Sequence, residues 1–311
     1  MVAFLIRRFF GLIFVMFAVT FLTFMIGHAA PGDPIRTILG FRYDPATYRR
    51  LVHFYGLDRP LLVQFGDYIW HIVRYADFGH SYRFESRPVM AMLGAALPVT
   101  MTIGTLALAL ATGIGVPIGV LAAARHNKAT DRISMATMLL LYSVPSFVLI
   151  PILLAVDIWL EQNHYPSLPV ANWGTVQQAI LPVVVLAAGS TAYIARLTRT
   201  TMVGILREDF IRTARSKGLP RSRIVALHAL RPALLPVITY LGPAVAGLIT
   251  GTFVVENIFN LPGIGFTAVT SIEARDYPVV EGATIIAAFL VVMMNLLADI
   301  LYRVLDPRIT E

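Results

Sequence analysis

The sequence predicts an all-α membrane protein with six transmembrane helices. Hydrophobic residues make up 57% of the 311, and charged residues only 14%, where soluble domains carry about 25%. Mean hydropathy is +0.72, more apolar surface than one aqueous core can hide. Six stretches meet the need for roughly 20 apolar residues in a spanning helix. They fall at 9–26, 97–124, 133–159, 179–197, 233–255 and 282–302.

The first span follows Arg7 and Arg8, and its apolar run covers 18 residues. That exceeds the roughly 7–15 of a cleaved signal core, so residues 1–28 read as a retained anchor. Residues 29–96 read as an extracytoplasmic region of short helices. Ala30-Pro31-Gly32-Asp33-Pro34, Asp44-Pro45 and Gly56-Leu57-Asp58-Arg59-Pro60 punctuate it. Tyr68, Trp70, Tyr75 and Phe78 suit a position at the membrane surface. The residues leave open whether this region docks a soluble partner or caps the bundle.

Residues 97–311 form the five remaining spans. Pro117, Pro145 and Pro151 predict kinks or early ends in the second and third. Gly115-Val-Pro-Ile-Gly119 and Gly247-Leu-Ile-Thr-Gly251 carry the spacing that lets helix backbones approach closely, and packing within one subunit is favoured over a dimer seam. Between spans five and six, Leu261-Pro262-Gly263-Ile264-Gly265 breaks the helix. Residues 268–274 then have room for one or two helical turns, placed over the bundle mouth.

Cations orient the chain. With the N-terminus inside, the inner segments hold sixteen Lys and Arg: Arg7, Arg8, Arg125, Lys128, Arg132, nine between Arg196 and Arg231, Arg303 and Arg308. The short outer loops at 160–178 and 256–281 hold only Arg275. Long loops barely count in this rule, so both termini are expected in the cytoplasm. The net charge of +7 is therefore assigned to the cytoplasmic face rather than to nucleic-acid binding.

Reactive chemistry is largely excluded. The chain has no cysteine, hence no disulfide, thiolate catalyst or cysteine-ligated metal. Neither Lys128 nor Lys217 follows a glycine-rich phosphate loop, and the seven histidines form no H-E-x-x-H. No serine sits in G-x-S-x-G, and His80 and His164 read as loop histidines. Asp157 and Asp299 are the only acids expected within the spans, both near span ends. Asp299 reads as a cap or a partner of Arg303. A proton-driven carrier wants acids across the bilayer and a midplane ion site, and an intramembrane enzyme wants a nucleophile or metal set.

One basic stretch stands out. Residues 208–223, EDFIRTARSKGLPRSR, place five cations in an oily chain. Glu208 and Asp209 open a helix that Arg215 and Lys217 close, in the order that suits the helix dipole. Gly218 fits a left-handed cap and Pro220 stops continuation. A second short helix fits 222–230, with Arg231-Pro232 leading into span five. Phe210, Ile211 and Ala214 read as one apolar face, and Ile224, Val225 and Leu227 add further apolar residues among the charges. Such a projection suits a protein partner.

The loop at 201–232 resembles the "EAA" loop of permease subunits from binding-protein-dependent ABC importers. Ala214, Gly218 and Leu230 match that motif; Arg212, Thr213, His228 and Arg231 depart from it. RTARSKG, HALRPALLPV, VVENIFNLPGIG, RDYPVV, NLLADILYRVLDPR, APGDP and GLDRP are similar to the dipeptide, oligopeptide and nickel branch. The resemblance implies the type I importer permease fold, in the bacterial inner membrane, with no ATPase site and no cofactor in this chain. It implies as partners two cytoplasmic ATPase subunits that bind ATP and Mg, a homologous second permease and an extracytoplasmic solute-binding protein. Glu208, Asp209, Phe210, Arg212, Thr213, Ala214, Arg215, Lys217, Gly218 and Leu219 are then the ATPase-coupling residues. Glu256, Phe259, Leu261, Pro262, Gly263, Gly265, Arg275 and Asp276 are the expected outer gate or docking residues. Di- or oligopeptides are the expected solute, with nickel chelates, glutathione or oligosaccharides as alternatives on the same architecture.

Overall fold

In the computed structural model of the chain, residues 2–29, 32–39, 44–84 and 87–305 are described. Ala30, Pro31, Asp306, Pro307 and Arg308, used above, lie outside them, as does the side chain of Arg303. The described residues are helical throughout, apart from loops and one isolated bridge between His80 and Pro88. Five helices are long and apolar enough to span a membrane, and a bent helix pair supplies a sixth candidate. The residues cluster into two compact units that interleave along the sequence. The expected division into 1–28, 29–96 and 97–311 follows membrane topology along the chain, a different criterion.

The first unit draws on residues 1–100 and 261–292. It holds α1 (Val2–Ala29), α2 (Pro34–Leu39), α3 (Pro45–Phe54) and α4 (Leu61–Tyr75). It also takes the start of α5 (Val89–Ala124), α12 (Ile264–Glu273) and the first half of α13 (Tyr277–Leu305). Asp44 starts α3 by accepting hydrogen bonds from the Ala46 and Thr47 amides, as an N-cap must. α4 is the amphipathic piece: Phe65 is buried and its ring meets Phe21 and Phe24 of α1, each at 5.3 Å. Trp70 and Tyr75 are exposed, as surface anchors would be, but Phe78 is buried and Tyr68 stacks on Phe24 at 5.8 Å. The aromatic stretch thus divides between exposed and core positions. Gly282 lets α13 lie against Val89 and Leu93 of α5, where a Cβ would fall 2.8 and 2.9 Å from their methyl carbons.

The second unit is built around α8 (Val176–Ile205), the most buried of the long helices. Thr175 and Gln178 close its N-terminus in a capping box. α6 (Ala129–Ser143), α7 (Ser146–Gln162) and α11 (Leu230–Ile258) pack on it. The third span is broken rather than merely kinked. Val144 is extended, Pro145 caps α7, and the two helices diverge by 106°. The residue before a proline resists helical backbone and the proline itself brings no N–H, so α6 ends there. Small residues set how α5 meets α8. Cβ atoms at Gly115 and Gly119 would fall 2.8 Å from the Thr191 carbonyl oxygen and 2.5 Å from that of Ala195. Both glycines serve packing inside one chain. Gly251 contacts Leu186, whereas Gly247 has open space around it.

Gly119→Val should lower the thermal midpoint of the detergent-purified protein, by about 1–3 kcal/mol of overpacking, because the obstacle is α8 backbone. Gly113→Val on the same helix meets nothing within 4 Å and should stay within about 0.5 kcal/mol. A thermal-shift series over both variants checks the contrast.

Candidate functional site

The cationic stretch folds as a small knuckle that follows α8 in the second unit. After Ile205 the chain turns into α9 (Asp209–Ser216). Its exit is a full Schellman motif. The Gly218 amide donates to the Arg215 carbonyl at 2.9 Å, and the Leu219 amide reaches the Ala214 carbonyl at 3.4 Å. Gly218 takes φ +73°, which glycine adopts at little cost. Leu219 and Ala214 belong to one apolar cluster, the contact that accompanies this motif.

The predicted second helix is real but does not end before span five. α10 (Arg221–Arg223) passes into a π-helical turn over Ile224–Ala229, and this runs directly into α11. The Leu230 amide donates to the Val225 carbonyl, a five-residue step. Pro232 explains the widening. It has no amide to give and its ring crowds the carbonyl four residues back. A wider turn just before it is one of the recognised accommodations.

The apolar residues of the knuckle divide by role. Ile211 is fully buried, and with Ala214, Ile224 and Ala229 it packs onto Ala123 of α5, Met202 of α8 and Ala233 of α11. Phe210 is 49% exposed and Leu227 51%. The single face expected for Phe210, Ile211 and Ala214 is therefore corrected. Neighbours on a helix are about 100° apart, so Ile211 anchors and Phe210 points outward. Glu208, Asp209, Arg212, Thr213, Arg215, Lys217 and Gly218 are all exposed. The Arg212–Asp209 pair, at 3.2 Å between exposed side chains, contributes little. Arg221 reaches back to donate to the Ala124 carbonyl at the end of α5. The knuckle is thus held to three long helices while presenting cations and two apolar side chains.

The expected gate residues divide between the units. In the second, Glu256 and Phe259 are buried at the end of α11, and the Phe259 carbonyl accepts from the Asn172 amide at 3.3 Å. In the first, Leu261, Gly263 and Gly265 are buried around the start of α12, where the Ile264 amide donates to Thr100 at 2.9 Å. Asp276 is buried and engaged: it accepts from the Ser81 hydroxyl and from the Tyr82 amide at 2.9 Å. It fastens the segment before α5 rather than facing outward. Of the eight, Pro262 and Arg275 are exposed.

Residues 115–311 match the family described as binding-protein-dependent transport system inner membrane component. Residues 1–104 match the N-terminal region of membrane components of the same systems. The chain belongs to this family. Relatives align along nearly the whole length. A Bacillus subtilis dipeptide transport system permease protein is 39% identical over 99% of this chain and 98% of its own. An oligopeptide transport system permease protein of Haemophilus influenzae is 38% identical over 99% of both. A dipeptide transport system permease protein of Escherichia coli K12 is 35% identical over 99% of both. As an inner membrane component of a binding-protein-dependent system, the chain is a multi-pass membrane protein.

This inner membrane component carries buried acids, of which a reading of spans and loops finds Asp157 and misses Asp131, Glu256 and Glu281. Asp157 is buried and accepts from the Leu168 amide at 2.9 Å, ordering the loop after α7. Asp131, Glu256 and Glu281 are buried in long helices as well. The last two fall on helix because α11 runs to Ile258 and α13 starts at Tyr277, where the composition suggested a loop. Asp131 receives Arg199 through two nitrogens, at 2.5 and 2.8 Å, and the Asn127 amide at 2.9 Å. His126 completes the group, 3.4 Å from Asp131 and 3.3 Å from Arg199. The signal available in sequence was an acid among the cations of 125–132.

Removing Arg199 would strand a carboxylate that is 2% exposed. Arg199→Ala should therefore destabilise the purified chain by about 3 kcal/mol, while Arg212→Ala should leave its thermal midpoint unchanged. Thermal unfolding in detergent, run on both, tests the difference.

Proposed function

We propose that this chain is the permease subunit of an ATP-driven importer for di- or oligopeptides. The observation that carries the reading is its alignment, over 99% of its length, with permease proteins named for dipeptide and oligopeptide transport. The knuckle supports a coupling role within it. Phe210 and Leu227 offer apolar purchase, and Arg212, Arg215 and Lys217 surround them with positive charge. A helix laid in a partner's groove is a recurrent docking mode, and exposed apolar residues on a rigid stub suit it.

The knuckle docks into a cytoplasmic ATPase subunit, and a homologous second permease brings a second ATPase. ATP and Mg²⁺ bind those partners, and this chain contributes no catalytic residue. The cation distribution supports both termini on the cytoplasmic side. A solute-binding protein delivers peptide at the opposite face, where residues 29–96 and 256–280 lie. Closure of the ATPase pair displaces α9, and Ile211 passes the displacement to α5, α8 and α11 through the cluster that holds it. The bundle then alternates between outward and inward access.

Cysteines replacing Phe210 or Ser216 should crosslink to the ATPase subunit and react with impermeant thiol reagents only from the cytoplasmic side. Reaction from outside, or no crosslink at either position, overturns the docking assignment. Arg215→Glu should cut uptake per ATP hydrolysed roughly ten-fold while the chain still reaches the membrane. Vesicle uptake of a labelled peptide, measured alongside phosphate release, reads this directly.

A further inference from the structure

Three tyrosines from three helices converge on one face of the second unit. The ring centre of Tyr193 on α8 lies 4.1 Å from that of Tyr240 on α11 and 6.3 Å from that of Tyr142 on α6. Arg196, one turn along α8, holds its guanidinium 5.5 Å from the Tyr193 ring centre and 5.4 Å from that of Tyr142.

Beside this ladder opens a cleft of about 550 Å³ walled by Met135, Met138, Leu139 and Tyr142, with Arg132 and Arg196 on its rim. Small-molecule sites run to roughly 300–1,000 Å³. Arg199 also borders the cleft, but Asp131 answers its charge. Among the described residues no carboxylate pairs with Arg132 or Arg196. The cleft therefore joins an apolar wall to an excess of positive charge. Tyr240 sits seven residues inside the stretch 233–255, about 10 Å along the helix. That is deeper than the interfacial belt where tyrosines anchor to headgroups. Arg132 and Arg196 belong to the inner cations counted above, so the cleft sits at the cytoplasmic end of the spans, with Tyr240 reaching deeper from it.

We propose that Arg196, with Arg132 and Tyr142 in the cleft and Tyr193 and Tyr240 stacked beside it, forms a subsite for the C-terminal carboxylate of a peptide in transit. The proposal rests on the peptide-importer reading above. A guanidinium presents a planar fork that matches a carboxylate. Tyrosine rings give contact area that tolerates varied side chains, and their hydroxyls can pair with amide groups. Arg132 and Arg196 are exposed, so the grip is weak enough for release.

The test uses the full complex in vesicles, with tri-alanine as free acid and as C-terminal amide, and uptake expressed per ATP hydrolysed. The binding protein is the same for every variant, so a changed acid-to-amide ratio reports on this chain. R196Q should lower acid transport by up to about five-fold and move the ratio towards one. R196K should restore part of the loss. R132Q should shift the ratio in the same direction, and it decides the matter should R196Q not assemble. An unchanged ratio in these variants overturns the subsite and leaves the importer reading intact. A loss in R196Q seen with phosphatidylglycerol vesicles and absent with phosphatidylcholine alone also overturns it, assigning the cleft to lipid. No uptake of either peptide by the unsubstituted complex, with ATP still hydrolysed, overturns the peptide reading itself.

Discussion

Close backbone approach along α8 is the constraint on which the second unit depends. Ala187, Ala188, Ala192 and Ala195 are buried along this helix, and glycines of α5 meet its carbonyl groups directly. Between helices in lipid there is no hydrophobic driving force to exploit, so contact comes from shape and from small residues. A close-packed interface of that kind has little room to deform gradually, and it favours discrete arrangements over continuous ones. A helix held this way transmits displacement instead of absorbing it.

Polar groups then take positions the apolar framework cannot supply. Asp131 ties the α5–α6 loop to Arg199, Asp157 orders the loop after α7, and Asp276 holds the segment that precedes α5. Each uses a carboxylate to gather amides or a guanidinium from a segment distant along the chain. Such groups cost a great deal unpaired, which is why they are bonded. Tyr82, beside Asp276 in this lattice, is buried, and burial pushes its phenol well above the ordinary range, so it stays neutral.

The helical class, the long spans and the cap at Gly218 were legible in the sequence because each rests on local chemistry. Apolar length announces a span, and glycine before Leu219-Pro220 announces a left-handed exit. Pro145 announced a disturbance, though not that the chain would turn by 106°. Other features depend on contacts distant in sequence. Nothing local says that Ile211 faces Met202 while Phe210 faces out, or that Asp276 bonds to Ser81 and Tyr82. The Arg199–Asp131 pair spans 68 residues, and the tyrosine ladder draws on three separate helices. Composition also misplaced Glu256 and Glu281, because helix ends are set by capping and packing as much as by hydropathy.

The π-helical turn at Ile224–Ala229 makes one rod of what would otherwise be two pieces. From Arg221 to Ile258 the helix is unbroken over 38 residues, about 57 Å, nearly twice the roughly 30 Å of hydrocarbon in a bilayer. Such a shaft projects beyond the oily layer and carries Leu227 near one tip and Glu256 near the other. Pro236 and Pro243 each take one amide out of its ladder, and the wide turn beside Pro232 is where the winding departs from the α pitch.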